Sequence, residues 1–198
     1  LANELSMICD TLDINVWELV SLANRHPRVN ILQPGPGVGG HCIAVDPWFI
    51  ASSAPDQSKL IITSRHVNKE KTEWVIKKVL LAIDDLVKKN PKKIITDIKI
   101  ACFGLAFKSD IDDLRESPAM AIVKRLIQIT KCKIQVVEPN IKDLPESLKG
   151  SDLLTINEMV KDTCDIALLL VDHKEFNLLG SQVQHSIVID TRGILNYS

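Results

Sequence analysis

The order of apolar and polar positions divides this chain into a helical first half and a second half in which strands alternate with helices. Residues 1–12 carry apolar side chains at helical spacing. A second helix is predicted over residues 16–25, where Asn15 is a suitable N-cap. The longest predicted helix covers residues 58–89, with apolar positions on one face and lysines and glutamates on the other. These segments together predict a helical first half.

A stretch rich in glycine and proline separates these helices. Residues 28–46 contain too many of both residue types for a regular element, so the pattern predicts a loop. A further short helix is expected to begin at Pro47, because proline suits the first helical position. The helical half is therefore interrupted by one long loop.

The pattern changes to short apolar runs from residue 98 onwards. Helices are predicted from Ser117-Pro118, with serine as the N-cap, and near residues 156–163. Strands that alternate with helices predict a parallel sheet with helices on both faces. The four predicted strands cover residues 98–103, 134–138, 165–171 and 186–190.

The chain is therefore predicted to be an α/β protein in two parts. A central helical segment, residues 1–92, contains the long helix, and residues 93–198 form a small doubly wound, Rossmann-like parallel-sheet domain. The boundary is placed at Asn90-Pro-Lys-Lys, where proline and polar residues end the long helix. The sequence also starts within an amphipathic helix without an initiator Met, so we expect the chain to be part of a longer protein.

Composition excludes several classes of partner. The formal net charge of the 198 residues is −1, which predicts no affinity for nucleic acid or for an anionic membrane surface. No apolar run approaches the roughly 20 residues of a membrane span. Any binding of phosphate must therefore come from the local placement of cations.

The five cysteines are scattered, which fits neither a disulfide framework nor a CxxC metal site. Cys9, Cys102 and Cys164 lie in apolar or helical runs and are predicted to be core thiols. Free thiols of this kind predict a reducing cytoplasm as the compartment.

Cys42 differs because three glycines precede it closely and Asp46 follows four residues later. Glycines let the backbone approach a ligand, so a thiol just beyond them would meet whatever the loop holds. Cys42 is thus a candidate nucleophile, and the local candidates for its base are His41 and Asp46. Residues 35–40 also match G-x-G-x-x-G, but the dinucleotide fingerprint needs a preceding strand, which this pattern lacks.

Other interpretations of Cys42 and its loop stay open at this point. The loop could be a glycine/proline turn without chemistry, and the thiol could be a core side chain. Cys42 could also bind a metal with His41 and His26, but no further ligand lies near in sequence. We therefore predict no metal site.

Cationic side chains follow the first and last predicted strands. Lys108 and Arg115 lie with Phe107 in the loop that leads to the helix N-terminus at Ser117, and Arg192 follows the last strand. Ligands of open α/β sheets bind at the carboxyl edge of the strands, and helix N-termini favour anions. These positions predict a phosphate site.

The alternative is a solvated loop whose charges pair with one another. In that interpretation Lys108 pairs with Asp110, Asp112 or Asp113, and Arg115 pairs with Glu116. Cations at two strand ends favour the phosphate.

Two long motifs carry a resemblance to a known family. They are Gly-Val-Gly-Gly-His-Cys-Ile-Ala-Val-Asp, ending at Asp46, and Phe-Gly-Leu-Ala-Phe-Lys-Ser-Asp-Ile-Asp-Asp-Leu-Arg-Glu-Ser-Pro, ending at Pro118. With both in the expected order, the sequence resembles the UDP-glucose/GDP-mannose 6-dehydrogenase family over essentially its whole length. The resemblance implies NAD as cofactor, a UDP-sugar substrate and a homodimer. It also implies an N-terminal NAD-binding domain, which is absent from this chain, before the central and UDP-binding parts.

The resemblance assigns the chemistry to Cys42 and Asp46. Cys42 would attack the aldehyde at sugar C6 to give a thiohemiacetal, and then carry the thioester that water hydrolyses. Asp46 would orient water or support a residue that itself touches the substrate. The family's assisting lysine and asparagine lie before the start of this chain, so the isolated chain is expected to be an inactive nucleotide-sugar-binding and dimerisation module.

The same resemblance assigns the binding residues. Arg115 would reach the NAD phosphates. A lysine often stands at the position of Arg192 in such enzymes, which preserves the charge and changes the geometry of the contact. The residues that would contact the sugar, in part across the dimer, are His26, Arg28 and Gly39. The residues that would hold the UDP are Phe107, Lys108 and Arg192.

Overall fold

The computed structural model describes residues 1–179, 183 and 186–195, and its first half is helical as predicted. Asn15 caps the second helix, since its side-chain oxygen accepts hydrogen bonds from the N–H groups of Trp17 and Glu18. The predicted helices at residues 1–12, 16–25 and 58–89 are confirmed within a few residues. The helices of this half are α1 (Ala2–Thr11), α2 (Val16–Ala23), α3 (His41–Ser53) and α4 (Lys59–Lys89).

The prediction for the segment before Pro47 is wrong. Helix α3 begins at His41 instead of Pro47, so Cys42 and Asp46 lie in a helix and Pro47 lies inside it. Gly40 precedes the helix with a φ of 93°, a conformation that lets the chain turn directly into it. Pro47 is the seventh of the thirteen residues of α3, where its missing N–H removes one backbone hydrogen bond of the helix.

The second half contains a five-stranded sheet in the order β3-β2-β1-β4-β5, and every neighbouring pair is parallel. The doubly wound topology is confirmed. Strand β3 was missed because it is a short, half-polar strand at the sheet edge, where periodicity gives little signal. The elements are β1 (Lys99–Phe103), α5 (Pro118–Ile129), β2 (Lys133–Val137), β3 (Ser151–Leu153), α6 (Ile156–Lys161), β4 (Ile166–Leu169) and β5 (Ile187–Asp190).

Both faces of the sheet are covered by apolar side chains. Alternate residues of β1 point to opposite faces, so Cys102 packs on the side of α4 and α5, and Phe103 on the side of α6. The predicted core thiols Cys9, Cys102 and Cys164 are buried. Burial raises the pKa of the Cys102 thiol to about 12, which keeps it protonated and inert.

Helix α4 joins the two halves because its 31 residues extend from the glycine-rich loop to the sheet. Val75, Val79 and Ile83 on its later turns belong to the same core cluster as the apolar residues of the sheet and α5. The domain boundary at residue 92 stays a prediction. Among the described residues, no helix is long and apolar enough to cross a membrane.

Candidate functional site

The glycine-rich loop before α3 is fastened to α1 and α4 by two asparagine side chains. The N–H of Gly35 donates to Asn3 Oδ1 at 2.9 Å. Asn68 holds Val38 from both sides, because its Oδ1 accepts from the N–H at 2.7 Å and its Nδ2 donates to the carbonyl at 3.0 Å. The loop backbone is therefore fixed by side chains that lie far away in sequence.

The other side of the same loop touches the loop between β1 and α5. A Cβ atom at Gly39 would lie 2.2 Å from the backbone oxygen of Glu116, and one at Gly40 would lie 3.0 Å from Cε2 of Phe107. No side chain fits at Gly39 without moving backbone. The glycines thus bring the start of α3 against the carboxyl edge of the sheet.

Cys42 lies in the first turn of α3 and is exposed. The positive end of a helix dipole favours an anion at this position. Asp46 is exposed one turn further along, and residues four apart lie on the same side of a helix. Hydrogen bonds to Asp113 chiefly raise the pKa of Arg115, and Cys42 raises it to a smaller extent.

Three of the predicted residues meet in one cleft, since Phe107, Lys108 and Arg192 line a space of about 20 Å³ at the sheet edge. Arg192 Nη2 lies 2.7 Å from Asp172 Oδ1, and the Ser109 hydroxyl donates to the same carboxylate at 2.6 Å. Although burial opposes it, these contacts lower the pKa of Asp172. Arg192 is therefore held by an anion in this structure.

The two cations of the β1–α5 loop have different surroundings. Arg115 pairs with Asp113, at 2.7 Å from Nη2 to Oδ2, and not with Glu116 as the alternative prediction had it. This guanidinium holds the pKa of the Asp113 carboxyl at about 2. Lys108 is exposed and forms no ion pair within 4 Å among the described residues. Its ammonium is available to an anionic ligand.

His26 and Arg28 lie on the exposed loop after α2. The Arg28 N–H donates to His26 Nδ1 at 3.2 Å, and neither residue lines the cleft of Phe107, Lys108 and Arg192. Within the described part of the chain, no group of three or more His, Cys, Asp or Glu side chains could hold a metal ion.

Two buried residues that the sequence analysis missed hold the β1–α5 loop in place. The Glu138 carboxylate accepts from the N–H groups of Leu105 and Ala106, at 2.7 and 3.2 Å, and lies 3.0 Å from His173 Nε2. Nδ1 of the same imidazole accepts from the N–H of Asp110 at 2.9 Å. Both residues follow the carboxyl ends of strands, and that position could have marked them in the sequence. The contact between the two side chains could not be predicted from the pattern.

A doubly wound parallel sheet with cations at its carboxyl edge defines a nucleotide-binding α/β protein of the Rossmann-like class. The profile for the "UDP-glucose/GDP-mannose dehydrogenase family, central domain" matches residues 1–70. The profile for the "UDP-glucose/GDP-mannose dehydrogenase family, UDP binding domain" matches residues 101–197. The chain belongs to this family.

Curated relatives agree with this assignment. UDP-N-acetyl-D-mannosamine dehydrogenase of Salmonella typhimurium is 53% identical over 98% of this chain and 46% of the relative. NDP-N-acetyl-D-galactosaminuronic acid dehydrogenase of Ralstonia solanacearum is 55% identical over 98% of this chain and 44% of the relative. The chain therefore spans about half the length of the curated relatives that it matches.

Solved structures show the same fold. The UDP-N-acetyl-mannosamine dehydrogenase of S. aureus has a TM-score of 0.78 at 37% identity, over 100% of this chain and 44% of that one. The UDP-D-ManNAc dehydrogenase of Pyrococcus horikoshii has a TM-score of 0.81 at 30% identity, over 100% of this chain and 45% of that one. The expected fold class and family are confirmed.

Proposed function

We propose that this chain is the C-terminal part of an NAD-dependent UDP-N-acetyl-D-mannosamine 6-dehydrogenase. The full enzyme would oxidise the C6 alcohol of the sugar to a carboxylate in two hydride transfers. The observation that carries the proposal is the placement of Cys42, an exposed thiol that the glycine loop holds beside the sheet edge bearing Lys108 and Arg192. The similarity to curated dehydrogenases supports the substrate class.

Phe107, Lys108 and Arg192 would hold the UDP part of the substrate. Lys108 offers an unpaired ammonium, and the buried Nε of Arg192 has no hydrogen-bond partner in the described part of the chain. A diphosphate would supply an acceptor to the Lys108 ammonium and to the Nε of Arg192, whose Nη2 is held by Asp172. The uracil ring would stack on the aromatic face of Phe107.

Nucleotide entry requires this cleft to open. Its volume of about 20 Å³ is far below the roughly 300–1,000 Å³ of small-molecule sites. A Cβ atom at Gly35 would lie 2.5 Å from Arg192 Nη1, so the glycine loop and this guanidinium are in contact. We therefore expect Arg192 to leave Asp172 and the loop to withdraw when UDP binds.

The Cys42 thiolate would perform the covalent step. Its sulfur attacks the carbonyl carbon of the C6 aldehyde and forms a thiohemiacetal, whose oxidation gives a thioester. Water then attacks the thioester carbon, the C–S bond breaks, and the carboxylate and the free thiol result. Cys42 lies in the first turn of α3, and Asp46, one turn away, would orient the water.

NAD, when bound, accepts one hydride in each oxidation. The glycines before Cys42 do not fit it, because the loop follows no strand and the N–H groups of Gly35 and Val38 already donate to asparagines. Arg115 fits an outer phosphate, since it is exposed and Asp113 engages only Nε and Nη2 of its guanidinium. The main NAD site would lie in the preceding domain.

A homodimer would explain the positions of His26 and Arg28. Both are exposed and lie outside the cleft, so we propose that they reach the nucleotide sugar of a partner subunit. Gly39, which packs on the β1–α5 loop, would contact the sugar of its own subunit. The free cysteines of the described residues fit a cytoplasmic enzyme.

The decisive experiment replaces the nucleophile in the full-length protein. Cys42→Ser is expected to abolish uronate formation while aldehyde formation from UDP-N-acetylmannosamine persists, with products resolved by mass spectrometry. Cys132→Ser, at a half-buried cysteine, is the matched control and should leave both products unchanged. Unchanged uronate production by Cys42→Ser would refute the covalent role.

A second assay tests the role of the missing domain. The 198-residue chain alone should bind UDP and should not reduce NAD. Turnover by this chain would overturn the view that it is a binding and dimerisation module.

A different sugar is the second candidate substrate. The 55% identity to an NDP-N-acetyl-D-galactosaminuronic acid dehydrogenase favours the wider class of UDP-N-acetylhexosamines, including UDP-N-acetylglucosamine. Comparing kcat/KM of the full-length protein over a panel of UDP-sugars decides between them. A preference for another epimer would contradict the mannosamine assignment and leave the C6 chemistry intact.

A further inference from the structure

A second cavity lies away from the cleft of Phe107, Lys108 and Arg192. It has a volume of about 630 Å³, within the range of small-molecule sites, and shares no lining residue with that cleft. Helices α1, α2 and α4 form one side, and β5 with the residues after it forms the other. The residues that matter here are Asp10, Trp17, Lys71, Trp74, Lys78 and Asp190.

Lys71 lines this cavity with a side chain that is almost wholly buried. Only 3% of the residue is exposed, and its Nζ forms no hydrogen bond or ion pair with any residue in the described ranges. Its one close partner is the ring of Trp74, whose centroid lies 3.7 Å from Nζ. The Nζ is not among the fully buried nitrogen atoms of the described residues that lack a hydrogen-bond partner. It therefore reaches the cavity, where an acceptor from outside the chain can approach it.

The neighbouring carboxylates do not supply that partner. Asp10 is engaged by Lys78, whose Nζ lies 2.6 Å from Oδ2. Asp190 accepts from the N–H groups of Arg192, Gly193 and Leu195. Asp13 also lines the cavity and forms no ion pair among the described residues, but it lies beyond 4 Å of the Lys71 ammonium as well. The ammonium of Lys71 therefore stays available.

The other residues that line the cavity indicate which group the ligand carries besides an anion. Trp17 and Trp74 both line the cavity. Lys71 Nζ lies over one face of Trp74, and Gly193 packs against Trp17, so the ring of a ligand would meet the indole surfaces that these contacts leave free. A space of about 630 Å³ is also far larger than an inorganic ion needs, since one water occupies about 30 Å³ of liquid.

We propose that this cavity is a second ligand site, which binds a small organic anion whose carboxylate or phosphate pairs with Lys71 and whose ring packs against Trp17 and Trp74. The site shares no lining residue with the UDP cleft. Desolvation lowers the pKa of Lys71 to about 8, although the negative charge of Asp10 raises it. The ammonium is therefore largely charged at neutral pH and would be stabilised by a bound anion.

The test is calorimetric titration of the full-length protein in the presence of saturating UDP, which occupies the proposed cleft. The probes are phenyl phosphate, benzoate and inorganic phosphate, because they separate the two anionic groups from the contribution of the ring. Lys71→Met keeps the length of the side chain and removes its charge. Lys77→Met, at an exposed position of the same helix, is the matched control.

We expect saturable binding of phenyl phosphate or benzoate, at least about tenfold tighter than inorganic phosphate, with loss of about tenfold or more in Lys71→Met and no change in Lys77→Met. Which organic probe binds more tightly identifies the anionic group. Equal binding by Lys71→Met and the parent, or no saturable binding of either organic probe up to about 10 mM, would overturn the proposal.

The thermal stability of Lys71→Met distinguishes a ligand-binding role of this lysine from a structural one. Removing an unpaired buried charge should leave Tm unchanged or raise it. A marked fall in Tm of the unliganded variant would show that Lys71 serves the fold, and would also count against a ligand site.

Discussion

Lys71 shows how one side chain can oppose the stability of the fold that surrounds it. Its pKa falls from 10.5 to about 8, chiefly by desolvation. Between these two values the unfolded chain binds a proton at this lysine and the folded chain does not. The free energy of unfolding should therefore gain a contribution that increases as pH rises from about 8 to 10.5.

The contribution of Lys71 to the free energy of unfolding can be isolated by comparing the parent with Lys71→Met. Urea unfolding of the parent and of Lys71→Met at several pH values should show the variant more stable near pH 7, by up to about 3 kcal/mol, with the gap closing towards pH 10.5. Subtraction removes the other groups that titrate in this window, including Cys102 with its pKa raised to about 12. A gap that stays constant with pH would contradict the shifted pKa.

The residues of the candidate site differ in how far away in sequence the residues that they contact lie. Cys42 and Asp46 form a local motif that could be read from the sequence. Their place on one side of a helix could not, because residues 41–46 were predicted as loop. Asn3 and Asn68 hold the same loop from positions 65 residues apart, and nothing in the local pattern marks them. The candidate nucleophile was therefore predictable, and the side chains that position its loop were not.

At the scale of elements, α5 illustrates a helix start that the sequence specifies fully. Ser117 was predicted as its N-cap, and its hydroxyl oxygen accepts from the N–H of Met120. The same hydroxyl donates to the carbonyl of Leu105 at 2.6 Å, a bond that ties the helix to the end of β1. The second role became visible only in the folded chain.

Ser117→Ala should destabilise the protein by about 2 kcal/mol, because it removes the cap and leaves the buried Leu105 carbonyl without its donor. Urea unfolding followed by circular dichroism measures the loss. Ser52→Ala, at an exposed serine of α3, is the control and should change stability by less than about 0.5 kcal/mol. Equal effects of the two substitutions would show that Ser117 contributes no more than a surface hydroxyl.

Helix α3 shows where element prediction failed. Proline is favoured at a first helical turn, which placed the expected start at Pro47, yet the preceding residues contain no turn signal after Gly40. Gly40 precedes the helix with a φ of 93° and packs against Phe107, a tertiary contact that the sequence does not show. This difference of six residues moves Cys42 from a loop to a helix N-terminus.

For the whole molecule, α4 links the glycine loop to the core of the sheet. Asn68 on its earlier turns binds the loop, while Val75 and Val79 on its later turns pack with the sheet. A rigid helix shared by both halves should make them unfold together. We therefore expect one cooperative transition for the chain.

Two probes can test this. Tryptophan fluorescence reports the first half through Trp17, Trp48 and Trp74, and the reactivity of the buried thiols of Cys102 and Cys164 reports the sheet. Their urea midpoints should coincide, and Val79→Ala should lower both equally, by about 2 kcal/mol in stability. Separate midpoints would show that the two halves are independent units.

The sequence by itself determined the class of the protein, its helices and most of its strands, the family and the candidate nucleophile. These features depend on periodicity, caps and motifs that act over a few residues. Only the tertiary structure decided that the glycine loop contacts the sheet edge, that Asp172 holds Arg192, and that Lys71 is buried in a cavity between distant elements. The reason is physical, since desolvation and pairing depend on neighbours that the chain brings together only when it folds.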